Sequence, residues 1–304
     1  MTTISQTPQW RPNPDRRLTG PLGSGHIPDP TPEAQRAIAL RASGRRHGPV
    51  TRVFGPNDIG STIKPFVFLD YFDFESTGGS MFPMHPHSGI ATTTVLLSGR
   101  MRYEDTTGAS GVLEAGSVEW MRAGRGVWHD GEPVGAGRFR GYQLWVALPE
   151  PLETAAAESQ YLQPDSVLQS GPARLILGAH AGLRSGVAAP DGLLLLHVRL
   201  RAGERWQLKP PNGHDIGWLH VSRGALHLGA TRLESELAVL NEGNAAINVI
   251  AEGATEFIVG TAVKHPHKLV LGHYSVHTSH AALQRGEQEI ARIGEQLRVS
   301  GRVR

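Results

Sequence analysis

Between Thr92 and Leu148 the chain never runs far before a turn residue stops it. Strand-like stretches at residues 92–97, 100–104, 111–113, 117–121 and 139–147 are separated by Ser98-Gly99, Asp105-Thr-Thr-Gly108, Glu114-Ala-Gly116 and Gly135-Ala-Gly137. Each turn offers a residue that tolerates positive φ, and strands recurring about every ten residues with tight turns build a sandwich or a small barrel. Ahead of them, residues 50–54 alternate apolar and polar, and residues 65–72 form a continuous apolar run of the kind buried on both faces.

The second half repeats the plan, with strand-like stretches at residues 174–177, 193–200, 205–208, 217–221, 225–228, 237–240, 245–250 and 256–261. The parallel between Val95-Leu-Leu-Ser-Gly99 and His220-Val-Ser-Arg-Gly224 points to an internal duplication. One amphipathic helix is expected at the end, with Ser279 as N-cap and Leu283, Ile290, Ile293 and Leu297 broadly on one side. The expected fold class is therefore all-β: two β-barrel domains of jelly-roll type with a C-terminal helix.

With 304 residues, 37 of them Gly and 21 Pro, the chain is long enough for two such domains. The expected organisation is a Pro/Arg-rich arm (residues 1–48), an N-terminal domain (49–151), a linker (152–164) and a C-terminal domain ending in the helix (165–304). The absence of cysteine excludes disulfides, thiolate zinc sites and a cysteine nucleophile. No apolar run has membrane-spanning length and no signal-peptide core is seen, so the expected location is cytoplasmic, without membrane association. Net charge is only +2. The eight arginines of residues 1–52, densest at Arg45-Arg46-His47, offer a surface to an acidic partner, but a solvated terminal segment is the expectation and nucleic-acid binding is not.

The residues that carry chemistry lie in the stretch from Gly79 to His129. On a strand, His85 and His87 project to the same face, and His129 follows a glycine turn. Three imidazoles meeting inside a barrel can hold one divalent ion. Fe(II), Mn, Ni, Cu and Zn all accept such donors, and the open coordination positions are what permit catalysis. A second cluster, His265-Pro-His267 with His273, His277 and His280, is denser but lacks the glycine framing, so it reads as a packed connection. Trp120 and Trp128 read as core or pocket lining.

Gly79-(x5)-His85-x-His87 followed by Gly99 resembles the first cupin motif, and Gly126-x-x-His129 the end of the second. More specifically, His85-Pro-His87-x-Gly89, Gly111-Val, Glu119-Trp-Met and Ala123-Gly-Arg-Gly-Val127 followed by His129 are similar to the pirins, which are two-domain cupins. The resemblance runs from about Pro49 to the C-terminal helix. It implies a bicupin with one metal ion per chain, Fe(II) first among the candidates, held by His85, His87 and His129. It also implies either cleavage of a flavonol such as quercetin by O₂ or a non-catalytic, metal-dependent regulatory role with a protein partner, a degenerate cupin without metal being the remaining alternative.

The family glutamate expected two residues after the third histidine falls on Gly131, and another, four residues after the second histidine, falls on Ala91. Glu132 and Asp130 are the candidates to replace it, as fourth ligand (Glu132) or as catalytic base (either residue). Strand alternation turns both away from His129 unless the chain bulges at Gly131. The narrower expectation is a three-histidine site, whose uncompensated charge favours an anionic, chelating substrate. In the second half, counting back from Gly224 puts Pro210 and Asn212 at the histidine positions, leaving His214 and His220 to structural roles.

Overall fold

A computed structural model describes residues 35–79 and 82–303; most of the Pro/Arg-rich arm lies outside the described residues. The described residues form two seven-stranded and two four-stranded antiparallel sheets, with two short two-stranded ribbons. The first half pairs a seven-stranded sheet with the four-stranded sheet made of Phe82–His87, Val127–Pro133, Met101–Asp105 and Ser110–Leu113. The second half does the same with Arg205–Leu208, Ile247–Ala251, Ala225–Leu228 and Thr231–Glu234. Apart from the edge strands Glu158–Leu162 and Ile38–Ala42, the two orders correspond strand for strand, as expected of a duplication. Each half is a jelly roll of two facing sheets.

The period of two in the strands decides what each face meets. Along Ile90–Ser98, Ala91, Val95 and Leu97 point toward the other half, while Leu96 joins Phe72, Met101, Leu113 and Phe139 inside the first jelly roll. The two seven-stranded sheets therefore pack face to face through the largest apolar cluster among the described residues. At its centre Trp218, fully buried, receives the ring edges of Phe54 and Phe66 at centroid distances of 5.5 and 5.4 Å. Loss of such a side chain from comparable cores costs roughly 3–5 kcal/mol. Buried polar groups cross the same interface: Tyr142 Oη meets His220 Nδ1 at 2.9 Å, and Arg140 donates to Glu256 Oε2 at 2.6 Å.

Strands also occur where the sequence reading placed an arm and a linker. Ile38–Ala42 pairs with Leu237–Leu240 at the edge of the second half's sheet, and Glu158–Leu162 pairs with Val118–Arg122 at the edge of the first. The helix His280–Val299 begins at Ser279, whose Oγ accepts from the amide of Ala282 at 3.2 Å. It packs on the first half. Its buried stripe is Ala282, Gly286, Ile290, Gly294 and Leu297, in which two glycines replace the bulky residues that periodicity alone would select. A Cβ at Gly294 would meet Trp128, whose Nε1 donates to Ile290 O at 2.8 Å, and one at Gly286 would meet Ser88 and His277.

Candidate metal centre

The strand Phe82–His87 is the outer strand of its sheet, and its alternation places His85 and His87 on one face. The neighbouring strand Val127–Pro133 runs antiparallel in a register that sets His129 directly opposite His85. The three rings gather at centroid distances of 4.5 to 5.1 Å. One ring nitrogen from each lies within 4.8 Å of the others, and among the described residues this is the one group of its kind.

The outer nitrogens explain which inner ones are available. His85 Nδ1 is 2.8 Å from Pro83 O, and His87 Nδ1 is 3.1 Å from Tyr274 O. A carbonyl only accepts, so each Nδ1 carries the proton and each Nε2 keeps its lone pair. His85 Nε2 and His129 Nε2 are 3.1 Å apart. At that separation the nitrogens need a proton or a cation between them. Burial, reinforced by the other histidines, pushes His85 down to about 3 and His87 well below its ordinary value, against the pull of the carbonyl hydrogen bonds. His85 and His87 thus present inward lone pairs beside His129 Nε2, the donor set that a divalent transition ion takes, and the residues fit one.

The three histidines border a cavity of about 130 Å³. Its apolar wall includes Phe68, Phe72, Phe82, Met101 and Trp145, with Phe68 and Trp145 stacked at 4.2 Å. Arg52 covers the outer face of Phe68 at 4.0 Å and pairs with Asp70 at 2.5 Å. Thr94, Gln143 and Glu119 border the cavity as well, as do Asp70 and Asp130. Glu119 is 2% exposed, and its Oε1 lies 3.6 Å from His129 Nδ1.

Neither acidic candidate read from the sequence turns toward the histidines. The register shift lies between the His129↔His85 and Gly131↔Phe82 pairs, with the extra residue on the Phe82–His87 side. On the other side pairing is unbroken through Asp130↔Glu104, Gly131↔Tyr103 and Glu132↔Arg102. Glu132 therefore keeps the outward face, where its carboxylate accepts from Arg102. Asp130 borders the cavity but shares that face, and burial next to Glu104 and Glu132 raises its pKa. Ala91 sits in the apolar interface between the halves, away from the cavity. The residue that sequence reasoning passed over is Glu119. Its signal was a carboxylate inside the buried run Val118-Glu-Trp-Met121.

The second histidine cluster does not gather. His265 Nε2 binds Leu148 O at 3.1 Å, and His267 and His273 are exposed. His277, 1% exposed, meets Ser88 Oγ at 3.0 Å and lies 3.4 Å from Glu153 Oε2. Ser88 in turn donates to Ser275 Oγ at 2.8 Å. This buried tie holds the segment carrying Tyr274 against His87. Gly89 permits it: at φ +77° a Cβ there would lie 2.0 Å from Val276 O.

In the second half, strand pairing corrects the counted positions. Trp206↔Val249 and Leu208↔Ile247 stand where His85↔His129 and His87↔Val127 stand in the first. Pro210 and Asn212 fall beyond the strand. The corresponding interior is apolar, with Leu208, Ile247 and Val249 in its core. His214 Nδ1 meets Thr261 Oγ1, and His220 meets Tyr142, both at 2.9 Å.

Buried neutral histidines make the fold acid-sensitive. Burial holds His220, like His85, near 3 rather than 6.5. Between those values the unfolded chain binds more protons than the folded one, so stability is full above about pH 6.5 and falls as pH falls. Each such histidine contributes about 1.4 kcal/mol per pH unit in that window. Urea unfolding of metal-free protein from pH 7.5 to 4.5 should show a plateau followed by this decline, and a flat profile would contradict it.

A bicupin with three histidines around a cavity in its first half is the class that fold and site define. The Pirin family model matches residues 48–146. The chain is 42% identical over 232 residues to a pirin-like protein of Caulobacter vibrioides, covering 71% of this chain and 82% of that one. It is 31% identical over 206 residues to mouse pirin, covering 64% and 70%. Among solved structures, a quercetin 2,3-dioxygenase from Acinetobacter baumannii superposes with a TM-score of 0.77 at 25% identity, over 85% of this chain and 98% of that one. The chain belongs to the pirin family.

Proposed function

We propose that the protein binds one divalent ion, Fe(II), through His85, His87 and His129 and uses it in the O₂-dependent cleavage of a flavonol, a reaction of the quercetin 2,3-dioxygenase type. The observation that carries this reading is the set of histidines with Nε2 inward beside an apolar cavity. An ion on three neutral donors would supply Lewis-acid and redox chemistry at its open positions. The charge it keeps favours an anionic oxygen chelate, such as a deprotonated hydroxy-ketone. Phe68, Phe72 and Trp145 provide surfaces for an aromatic ring. The cavity approaches the roughly 150 Å³ that accommodates one benzene in an engineered protein, so it suits the single oxygen-bearing ring of a larger substrate. No helix is long and apolar enough to cross a membrane, and a cytoplasmic setting is part of the proposal.

A second reading, a metal-dependent binding protein that meets a protein partner without turnover, draws support from Glu132, which faces outward and leaves no base at the position first considered. Anaerobic titration of the Fe(II)-loaded protein with quercetin, followed by admission of air, separates the two. The dioxygenase reading predicts a shifted flavonol absorption band on binding and then oxygen uptake equal to flavonol consumed. Binding without uptake across several flavonols would leave the second reading in its place.

A further inference from the structure

We infer that Glu119 is a positioning residue of the metal centre, holding His129 with Nδ1 outward and Nε2 toward the other two histidines. The inference rests on the metal-binding reading above. His85 and His87 are each oriented by a backbone carbonyl on Nδ1, whereas the oxygen facing His129 Nδ1 is Glu119 Oε1, at 3.6 Å. Carboxylate, imidazole and ion in line is a recurrent way to set the tautomer of a ligating histidine and to raise its basicity.

The surrounding strands fix that carboxylate. Thr94 pairs with Glu119 on one side and with Gln143 on the other, and all three side chains border the cavity. Thr94 Oγ1 donates to Glu119 Oε2 and lies 2.8 Å from Gln143 Oε1, an amide whose O and N can exchange places by a half-turn. Thr94 has a single proton, so the network is satisfied when Gln143 donates to Thr94 and Thr94 to Glu119. Oε2 is then committed, and Oε1 is left facing His129.

Charge points the same way. Burying a carboxylate is costly unless it is compensated, and the group beside Glu119 Oε1 is the His129 imidazole, which compensates it only when a proton or a cation is bound. A divalent ion beyond that imidazole supplies the compensation. The negative charge absent at Gly131 thus reaches the centre from behind a ligand instead of as one.

The test uses Co(II) as probe, read by equilibrium titration, by its visible ligand-field spectrum and by the shift it causes in unfolding temperature. Glu119→Ala should weaken Co(II) binding by about 10- to 100-fold. Glu119→Gln, which keeps the shape and an oxygen that can face Nδ1, should fall between Glu119→Ala and wild type, with an altered spectrum and a metal-free unfolding temperature close to wild type. Wild-type affinity and spectrum in Glu119→Gln and Thr94→Val together would overturn the positioning role while leaving the metal site intact. Failure of the wild-type protein itself to take up Co(II) would overturn the metal reading, and this inference with it.

Discussion

Replacing His87 by alanine should abolish metal binding, while replacing His267 should leave it unchanged. His87 is 1% exposed, its Nδ1 is held by Tyr274 O, and its ring stands edge-on to Trp145 at 4.9 Å. Its Nε2 has little freedom to point anywhere but at the other two histidines. Structural metal sites bind with about 10–16 kcal/mol shared among their ligands, so losing one donor removes roughly 3 kcal/mol or more, a hundred-fold or greater loss. His267 is exposed, and its backbone amide donates to His265 Nδ1. Equilibrium dialysis against Fe(II) under anaerobic conditions, or against Co(II), measures both variants. The reverse outcome would move the site to the C-terminal connection.

Gly131→Glu should tighten metal binding by about 10- to 100-fold, of order 1.4–2.8 kcal/mol. Gly131 shares the inward face with His129 and borders the cavity, so a side chain there starts toward the histidines. A Cβ at this position meets Met101 Sδ at 3.1 Å, an obstacle that an unbranched thioether can yield to. The added carboxylate would give the ion a charged donor and occupy part of the cavity, so flavonol binding should weaken as metal binding strengthens. Glu132→Gln is the control. It disturbs an ion pair with Arg102 that is worth no more than about 1 kcal/mol at such exposure, and metal affinity should not move. A large loss in Glu132→Gln would mean that its carboxylate reaches the centre in solution.

The jelly-roll halves were legible in the sequence because glycine turns and alternation act locally, and the duplication was legible in the two Gly-ended motifs. His85, His87 and His129 could be read together because a period of two needs no tertiary knowledge. What could not be read came from distance or from residues without an apolar signal. Tyr274, which orients His87 from 187 residues away, carries no local mark of that role. Gly286 and Gly294 serve the helix by having no side chain, which a hydrophobicity pattern cannot register. Glu158–Leu162 reads as polar linker because an edge strand needs few apolar residues. Counting to Pro210 and Asn212 failed because the loop after Leu208 is longer than the turn after His87, and only strand pairing shows the offset. Glu119 had a readable signal, but its alignment with Thr94 and His129 depends on the order of strands in two different sheets.

The central claim is that His85, His87 and His129 together hold one ion. Metal content of protein purified without an affinity tag, measured by mass spectrometry before and after anaerobic incubation with Fe(II), tests it most directly. One ion per chain is expected in wild type and none in His87→Ala. A wild-type protein that stays metal-free after reconstitution with Fe(II), while correctly folded, would contradict it.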